Sequence, residues 1–290
     1  MRAVRKVFND PEDEVVFRKQ GFLTKKVLSS DDLMQLQDLF DSVEHEHVWG
    51  EYGEIFATIQ STNLDMRQLV ADRMSEILKH NVLPLLNDYE PVIGNFFLKR
   101  ANKETKKLDL HQDKSVVGDE DFGPGLVIWC PLKSVTADNG GLGFIPNSQL
   151  LNNNYRSFLV ESYPDMSSYD FLEKYITYLD MQAGEIVVFD YRIFHGSKPN
   201  ISDEDRVAAS IIVKPAESAT TYCHVDVDNA LDVLEVYEVH DNFYPTYEPD
   251  HFQADLNRMR SKSKLIDRVP FKEEKLDEEK FKACTENTLI

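Results

Sequence analysis

Cysteine is scarce in this chain: its 290 residues include three, Cys130, Cys223 and Cys284, odd in number and scattered. No CxxC pair is present, which argues against a zinc knuckle or a disulfide framework and for a reducing, cytoplasmic setting. Positive charge is also short. Lys and Arg number 32 against 51 Asp and Glu, a formal net charge of −19. Such an excess repels phosphate backbones and anionic membranes, so neither nucleic acid nor a lipid surface is an expected partner. An anionic small substrate needs only a local cluster of cations and stays open. No apolar run approaches the roughly 20 residues of a membrane span. The opening MRAVRKVFNDPEDE lacks the apolar stretch of a secretory signal.

What the chain does have is a 42% hydrophobic content, enough for one large domain over residues 1–290. Residues 1–90 read as N-terminal helices and a strand. An apolar run at Phe22–Leu28 is followed by Ser29 and Ser30 as cap and by Asp31 and Asp32 in a first helical turn. Leu33, Leu36, Phe40 and Val43 then form one helical stripe. EIFATIQ reads as a strand. A second helix is expected over Leu64–Leu86, with Met66, Val70, Met74 and Ile77 on one face and Pro84 near its end. From 91 to 215 the runs PVIGNFFLKR, KKLDLHQD, GLVIWCPL, GLGFIP, GEIVVFD and RVAASIIVKP recur between turn residues, which predicts a β sandwich or barrel. Residues 152–179, with Tyr155, Tyr163, Tyr169, Tyr175 and Tyr178, read as an insertion, a loop with a helical piece that forms a lid or a dimer contact. Residues 216–290 read as a helical extension, its run KEEKLDEEKFK a solvated face. The class is α+β.

Within LDLHQDKS, His111 and Asp113 stand two apart, so on a strand both point to one face while Gln112 points away. Alone, His-x-Asp is more often an ordinary hydrogen-bonded strand edge. Eight histidines are present, at 45, 47, 80, 111, 195, 224, 240 and 251, and His195 stands out. It follows the buried-strand pattern GEIVVFDYRIF and precedes a Gly-Ser turn. His111, Asp113 and His195 would supply two imidazoles and a carboxylate, a set that leaves three positions of an octahedral metal open, as in non-haem Fe(II) oxygenases. Arg206 lies 206 − 195 = 11 residues beyond His195, at the start of RVAASIIVKP. It either grips a carboxylate inside the barrel or answers the acidic SDEDR turn at the surface. Gly140 and Gly141 read as a tight turn.

HQD, NGGLGFIPNSQ and AGEIVVFDYRIFHGSKPNISDEDR, with the opening FRKQGFLTKKVLSSDDLMQLQDLFD, resemble the phytanoyl-CoA dioxygenase-like Fe(II)/2-oxoglutarate oxygenases over roughly residues 14–215. The resemblance implies a double-stranded β-helix, a cupin-like jelly roll. It makes His111, Asp113 and His195 the iron ligands and Arg206 the partner of the distal 2-oxoglutarate carboxylate. It adds Ser197 at that carboxylate, Trp129 lining the same pocket and Asn95 at the other end of the cosubstrate; for Trp129 a core aromatic is the competing role, for Asn95 a cross-strand hydrogen bond. Fe(II), 2-oxoglutarate and O₂ are then the expected cofactors. The expected reaction oxidises a C–H bond of a small polar metabolite by hydroxylation, desaturation or cyclisation, with succinate and CO₂ released. Asp113 argues against halogenation, because related halogenases carry a small residue there. The competing readings are a catalytically silent jelly-roll binding protein, a different metal cupin, and an acyl-CoA hydroxylase. Lys99, Lys114, Arg192 and Lys198 near the motifs could hold an anionic group, but each reads first as a surface charge. The protein is expected as a monomer or homodimer.

Overall fold

The computed structural model describes residues 5–44, 50–52, 55–101, 107–120, 122–151, 154–157, 170–226, 230–246, 262–271 and 275–286. His45, His47, His251, Tyr163 and Tyr169 lie outside these. A first helix, α1 (Pro11–Gln20), precedes the elements read from sequence. Asp10 caps it by accepting from the N–H groups of Glu12 and Asp13, and Gly21 ends it at φ 83°, a conformation glycine adopts without strain. After β1 (Phe22–Lys26), α2 (Ser30–Glu44) starts as the SSDD stretch predicts. Asp32 N–H donates to Ser29 Oγ at 3.1 Å while the Asp32 carboxylate accepts from Ser29 N–H at 2.8 Å. EIFATIQ divides between β3 (Ile55–Ala57), which pairs with β2 (Gly50–Tyr52), and a 3₁₀ turn at Thr58–Gln60. The next helix, α3 (Leu64–Lys79), is shorter than expected. Pro84 sits in a separate 3₁₀ turn, Leu83–Leu85, because proline lacks the N–H that would continue the helix.

The central strands follow in chain order: β4 (Tyr89–Lys99), β5 (Leu108–His111), β6 (Leu126–Pro131), β7 (Leu142–Phe144), β8 (Thr177–Tyr178), β9 (Glu185–Asp190), β10 (His195–Ser197) and β11 (Arg206–Pro215). A seven-stranded sheet runs β1-β9-β6-β11-β4-β3-β2, and a four-stranded sheet runs β5-β10-β7-β8. Every pairing in both is antiparallel. Strand parity divides the large sheet's two faces. Leu126, Ile128, Cys130, Ile186, Val188, Ala209 and Ile211 pack with Leu36, Phe40, Val70 and Met74 of the helices. Phe22, Val127, Trp129, Val187, Phe189 and Ala208 pack instead with Leu142 and Phe144 of the small sheet. The small sheet therefore covers the inner face and the helices the outer, the layered arrangement of a jelly roll. The helix layer sits close: a Cβ on Gly94 of β4 would lie 2.8 Å from the Ala71 Cα of α3.

The expected helical extension is corrected by a third sheet. β12 (Thr221–Asp226), β13 (Ala230–Glu238) and β14 (Lys264–Pro270) pair antiparallel in that order. Cys223, Val225, Leu234 and Val236 bury one side of it, and Tyr222 and Tyr237 are buried on the other. Acidic residues interleaved with the apolar ones had masked the period-two pattern, since alternation suits a half-buried strand and not a helix. Described helices in this region include α4 (Phe243–Thr246) and α5 (Glu278–Glu286). The charged run at α5 is not merely solvated: Phe281 is fully buried and packs with Leu276, Leu172 and Phe194. Of the insertion, Asn154–Ser157, a 3₁₀ turn at Asp170–Tyr175 and β8 are described. Among the described residues no helix is long and apolar enough to cross a membrane.

Candidate metal and anion site

His195 and His111 are direct cross-strand partners in the β10–β5 pair, their ring centroids 4.4 Å apart. Asp113 joins them from just beyond the end of β5, off the strand on which its spacing had placed it. One donor atom from each of the three falls within 4.8 Å of the others. The carboxylate lies 3.7 Å from His111 Nε2 and 3.8 Å from His195 Nε2. These separations are too long for hydrogen bonds and short enough for one cation to touch all three. Each imidazole turns its Nδ1 to a main-chain carbonyl, His111 to Asp109 at 2.8 Å and His195 to Ile193 at 3.1 Å. A proton on Nδ1 would leave the Nε2 lone pair facing the site, the tautomer a metal ligand requires. Burial holds His195 down at about 4, against the pull of Asp113 and with a further push from His111. It is therefore neutral near pH 7. Asp113 is the most open of the three, with 27% of its side chain exposed against 6% for His195.

Two residues along β10 from His195, Ser197 is buried against Lys99, the ladder partner of Arg206. Arg206 is 4% exposed, and its Nε and Nη2 have no hydrogen-bond partner. The guanidinium carbon lies 5.5 Å from the Trp129 ring, a favourable face for a planar cation. Burial alone lowers the Arg206 guanidinium to about 10. A buried, unsatisfied guanidinium is costly, so this one fits an anionic ligand and not the surface SDEDR turn. Directly across the ladder from Arg206 is Lys99, fully buried. Its Nζ donates to Ser197 Oγ at 2.9 Å and to the Lys198 carbonyl. Gly140, at φ 84°, serves the tight turn and also makes room here: a Cβ would lie 2.9 Å from Lys99 Cδ and 3.8 Å from Arg206 Nε.

Other sequence candidates are placed differently. Asn95 is buried on the inner face, and its carboxamide oxygen accepts from the Thr58 hydroxyl at 2.7 Å and Ile59 N–H at 2.9 Å. It fastens the 3₁₀ turn to β4. Arg192 is bound to the Asp190 carboxylate through Nε and Nη2 at 2.9 and 2.6 Å. Lys198 is exposed over the Tyr178 ring and Lys114 is half-buried, while Lys99 stands beside Arg206. Strand parity could have found it, because Asn95, Phe97 and Lys99 share one face of β4. Arg156 and Glu120, buried behind Asp113, had no local signal at all.

The family model of phytanoyl-CoA dioxygenase (PhyH) matches residues 1–208. The chain belongs to this family. It is similar to the dioxygenase af480 of Aspergillus fumigatus, 34% identical over 126 residues. That stretch covers 42% of this chain and 37% of af480, so the chain spans little more than a third of that relative's length. Among solved structures it resembles EctD from S. alaskensis with 2-oxoglutarate and 5-hydroxyectoine bound, at TM-score 0.56 and 17% identity, over 79% of this chain and 88% of EctD. It also resembles the non-haem α-ketoglutarate-dependent carbocyclase SnoK from nogalamycin biosynthesis, at TM-score 0.54 and 17% identity, over 73% of this chain and 86% of SnoK. At such identities the likeness establishes the fold.

Proposed function

We propose that the protein is an Fe(II)/2-oxoglutarate-dependent oxygenase that oxidises a C–H bond of a small polar metabolite. The observation carrying this reading is that His195 of the metal face and Ser197 stand two apart on β10, with Ser197 bonded to Lys99, the ladder partner of the orphaned Arg206. Residues i and i+2 of a strand are about 6.6 Å apart, a span that a short dicarboxylate can bridge. His111, Asp113 and His195 would hold the ferrous ion. Bound there, the ion would supply O₂ activation coupled to oxidative decarboxylation of 2-oxoglutarate to succinate and CO₂.

The protein's own part is to bind, orient and keep dry. Arg206 offers Nε and Nη2 to the distal carboxylate, and Trp129 backs the guanidinium. Lys99 donates to Ser197 Oγ, so the serine hydroxyl proton can turn toward the same carboxylate. Phe144 and Phe189 pack around His195, with ring centroids 5.9 and 4.8 Å from the imidazole. They keep that side apolar. The carboxylate of Asp113 occupies the position a halide would need, which favours hydroxylation, desaturation or ring closure over halogenation. A small polar substrate accords with the chain's −19 charge, and EctD, of the same fold, holds the small molecule 5-hydroxyectoine.

The test is anaerobic addition of Fe(II) and 2-oxoglutarate. A visible charge-transfer band is expected, followed by succinate when oxygen is admitted with a substrate screen that includes amino acids, compatible solutes and acyl-CoA thioesters. Absence of both signals would identify a silent jelly-roll protein. If Arg206→Ala retained full activity, the cosubstrate assignment would fall.

A further inference from the structure

Asp113 is the one metal-face residue outside a strand, and both polar groups of its backbone are held by a buried network behind the site. Its N–H donates to the Tyr191 carbonyl at 2.9 Å, and its own carbonyl accepts from Arg156 Nε at 2.5 Å. Arg156 Nη2 reaches both Glu120 carboxylate oxygens at 3.1 and 2.9 Å, with 3% of either side chain exposed. The Tyr191 hydroxyl donates to Glu120 at 2.7 Å, and its ring lies 4.9 Å from the Arg156 guanidinium. Nη1 is taken by the Asn154 carbonyl at 3.0 Å. Main chain adds to this, with Ser115 N–H donating to the Arg156 carbonyl at 3.0 Å and Arg156 N–H to Ser115 Oγ at 2.9 Å. Burial works against charge on Arg156, and Glu120 and Tyr191 more than offset it.

An ion pair this buried is a weak source of net stability, because the desolvation of two charges consumes most of their attraction. It is a strong source of geometry. The Arg156 guanidinium is planar and fixed on three sides, so its Nε can hold the Asp113 carbonyl at one place only. Asn154–Ser157 belong to the segment inserted between β7 and β8, whose role the sequence left open between a lid and a dimer contact.

We propose that the Arg156–Glu120 pair is a positioning device for the metal face. The start of the insertion reaches behind Asp113, clamps its carbonyl and sets the direction of its carboxylate. Arg156 and Glu120 themselves touch neither metal nor substrate. The inference rests on the metal reading of His111, Asp113 and His195.

The experiment is a Co(II) titration of the purified protein without cosubstrate, read by the cobalt absorption spectrum, with melting temperature measured alongside. R156K keeps a cation for Glu120 and loses the Nε donor. E120Q/R156M removes both charges and leaves an acceptor for the Tyr191 hydroxyl. Either is expected to weaken Co(II) binding by about ten- to a hundredfold, as when a group supporting a ligand is removed. G94A lies on the far face of the sheet and serves as the control: it lowers the melting temperature and leaves Co(II) affinity unchanged. A folded R156K or E120Q/R156M that binds Co(II) within twofold of wild type overturns the proposal. So does a G94A whose affinity falls in step with its stability, since the effect would then be general loosening. Wild-type protein that binds no Co(II) overturns the metal reading itself.

Discussion

The anion site and the metal face meet at the two ends of β10, at Ser197 and His195, and are built in opposite ways. Arg206 and Lys99 are paired ladder residues of β11 and β4, two central strands of the large sheet, and both are buried. They stand at the end of that ladder, but each is still paired within it, so their side chains point where strand parity sends them. The metal face sits at a frayed edge. β5 has four residues and stops at His111, and the Asp113 backbone is held by the Tyr191 carbonyl and the Arg156 side chain, both from remote segments. A residue paired in a ladder keeps its direction when a neighbour is lost. A ligand beyond the strand, such as Asp113, relies on its neighbours for it.

Substitutions can break this comparison in order of severity. The largest effect is expected at Asp113 and His195: D113A or H195A should reduce succinate formation below detection and lower Co(II) affinity by about a hundredfold or more, because two donors remain from three. Next comes R206A. Losing a buried charge-assisted grip costs about 2–5 kcal/mol, so the KM for 2-oxoglutarate should rise on the order of 30-fold or more while Co(II) binding stays near wild type. Equal losses of both affinities would merge the two ends into one unit and defeat the distinction. K99Q should act in the same direction as R206A by a smaller factor, about tenfold in KM, because Gln can still donate to Ser197 Oγ but brings no charge. The stability change G94A should be mildest for function. A Cβ 2.8 Å from Ala71 Cα forces α3 away from β4, at a cost of about 1–3 kcal/mol, visible as a drop of a few degrees in calorimetry with KM unchanged.

The C-terminal quarter offers a second contrast. In the jelly-roll core, apolar and β-branched residues run together, as in LVIWCP and EIVVFD, and the strands are legible at once. In ALDVLEVYE the same alternation is crossed by Asp232, Glu235 and Glu238, and charge obscures it. Phe281 shows the reverse error: it hides in a charged run and proves to be a fully buried anchor.

Taken alone, the sequence determined the cap of α2, the strand periods of the core and the order of motifs; local chemistry and period-two parity carry these, while His111, Asp113, His195 and Arg206 were singled out by the resemblance of those motifs to a family. Tertiary structure decided that Lys99 stands beside Arg206, that Asn95 fastens a turn, and that Arg156 reaches Asp113 from 43 residues away. Those contacts join segments distant along the chain, and no local pattern encodes the register or the loop path that brings them together.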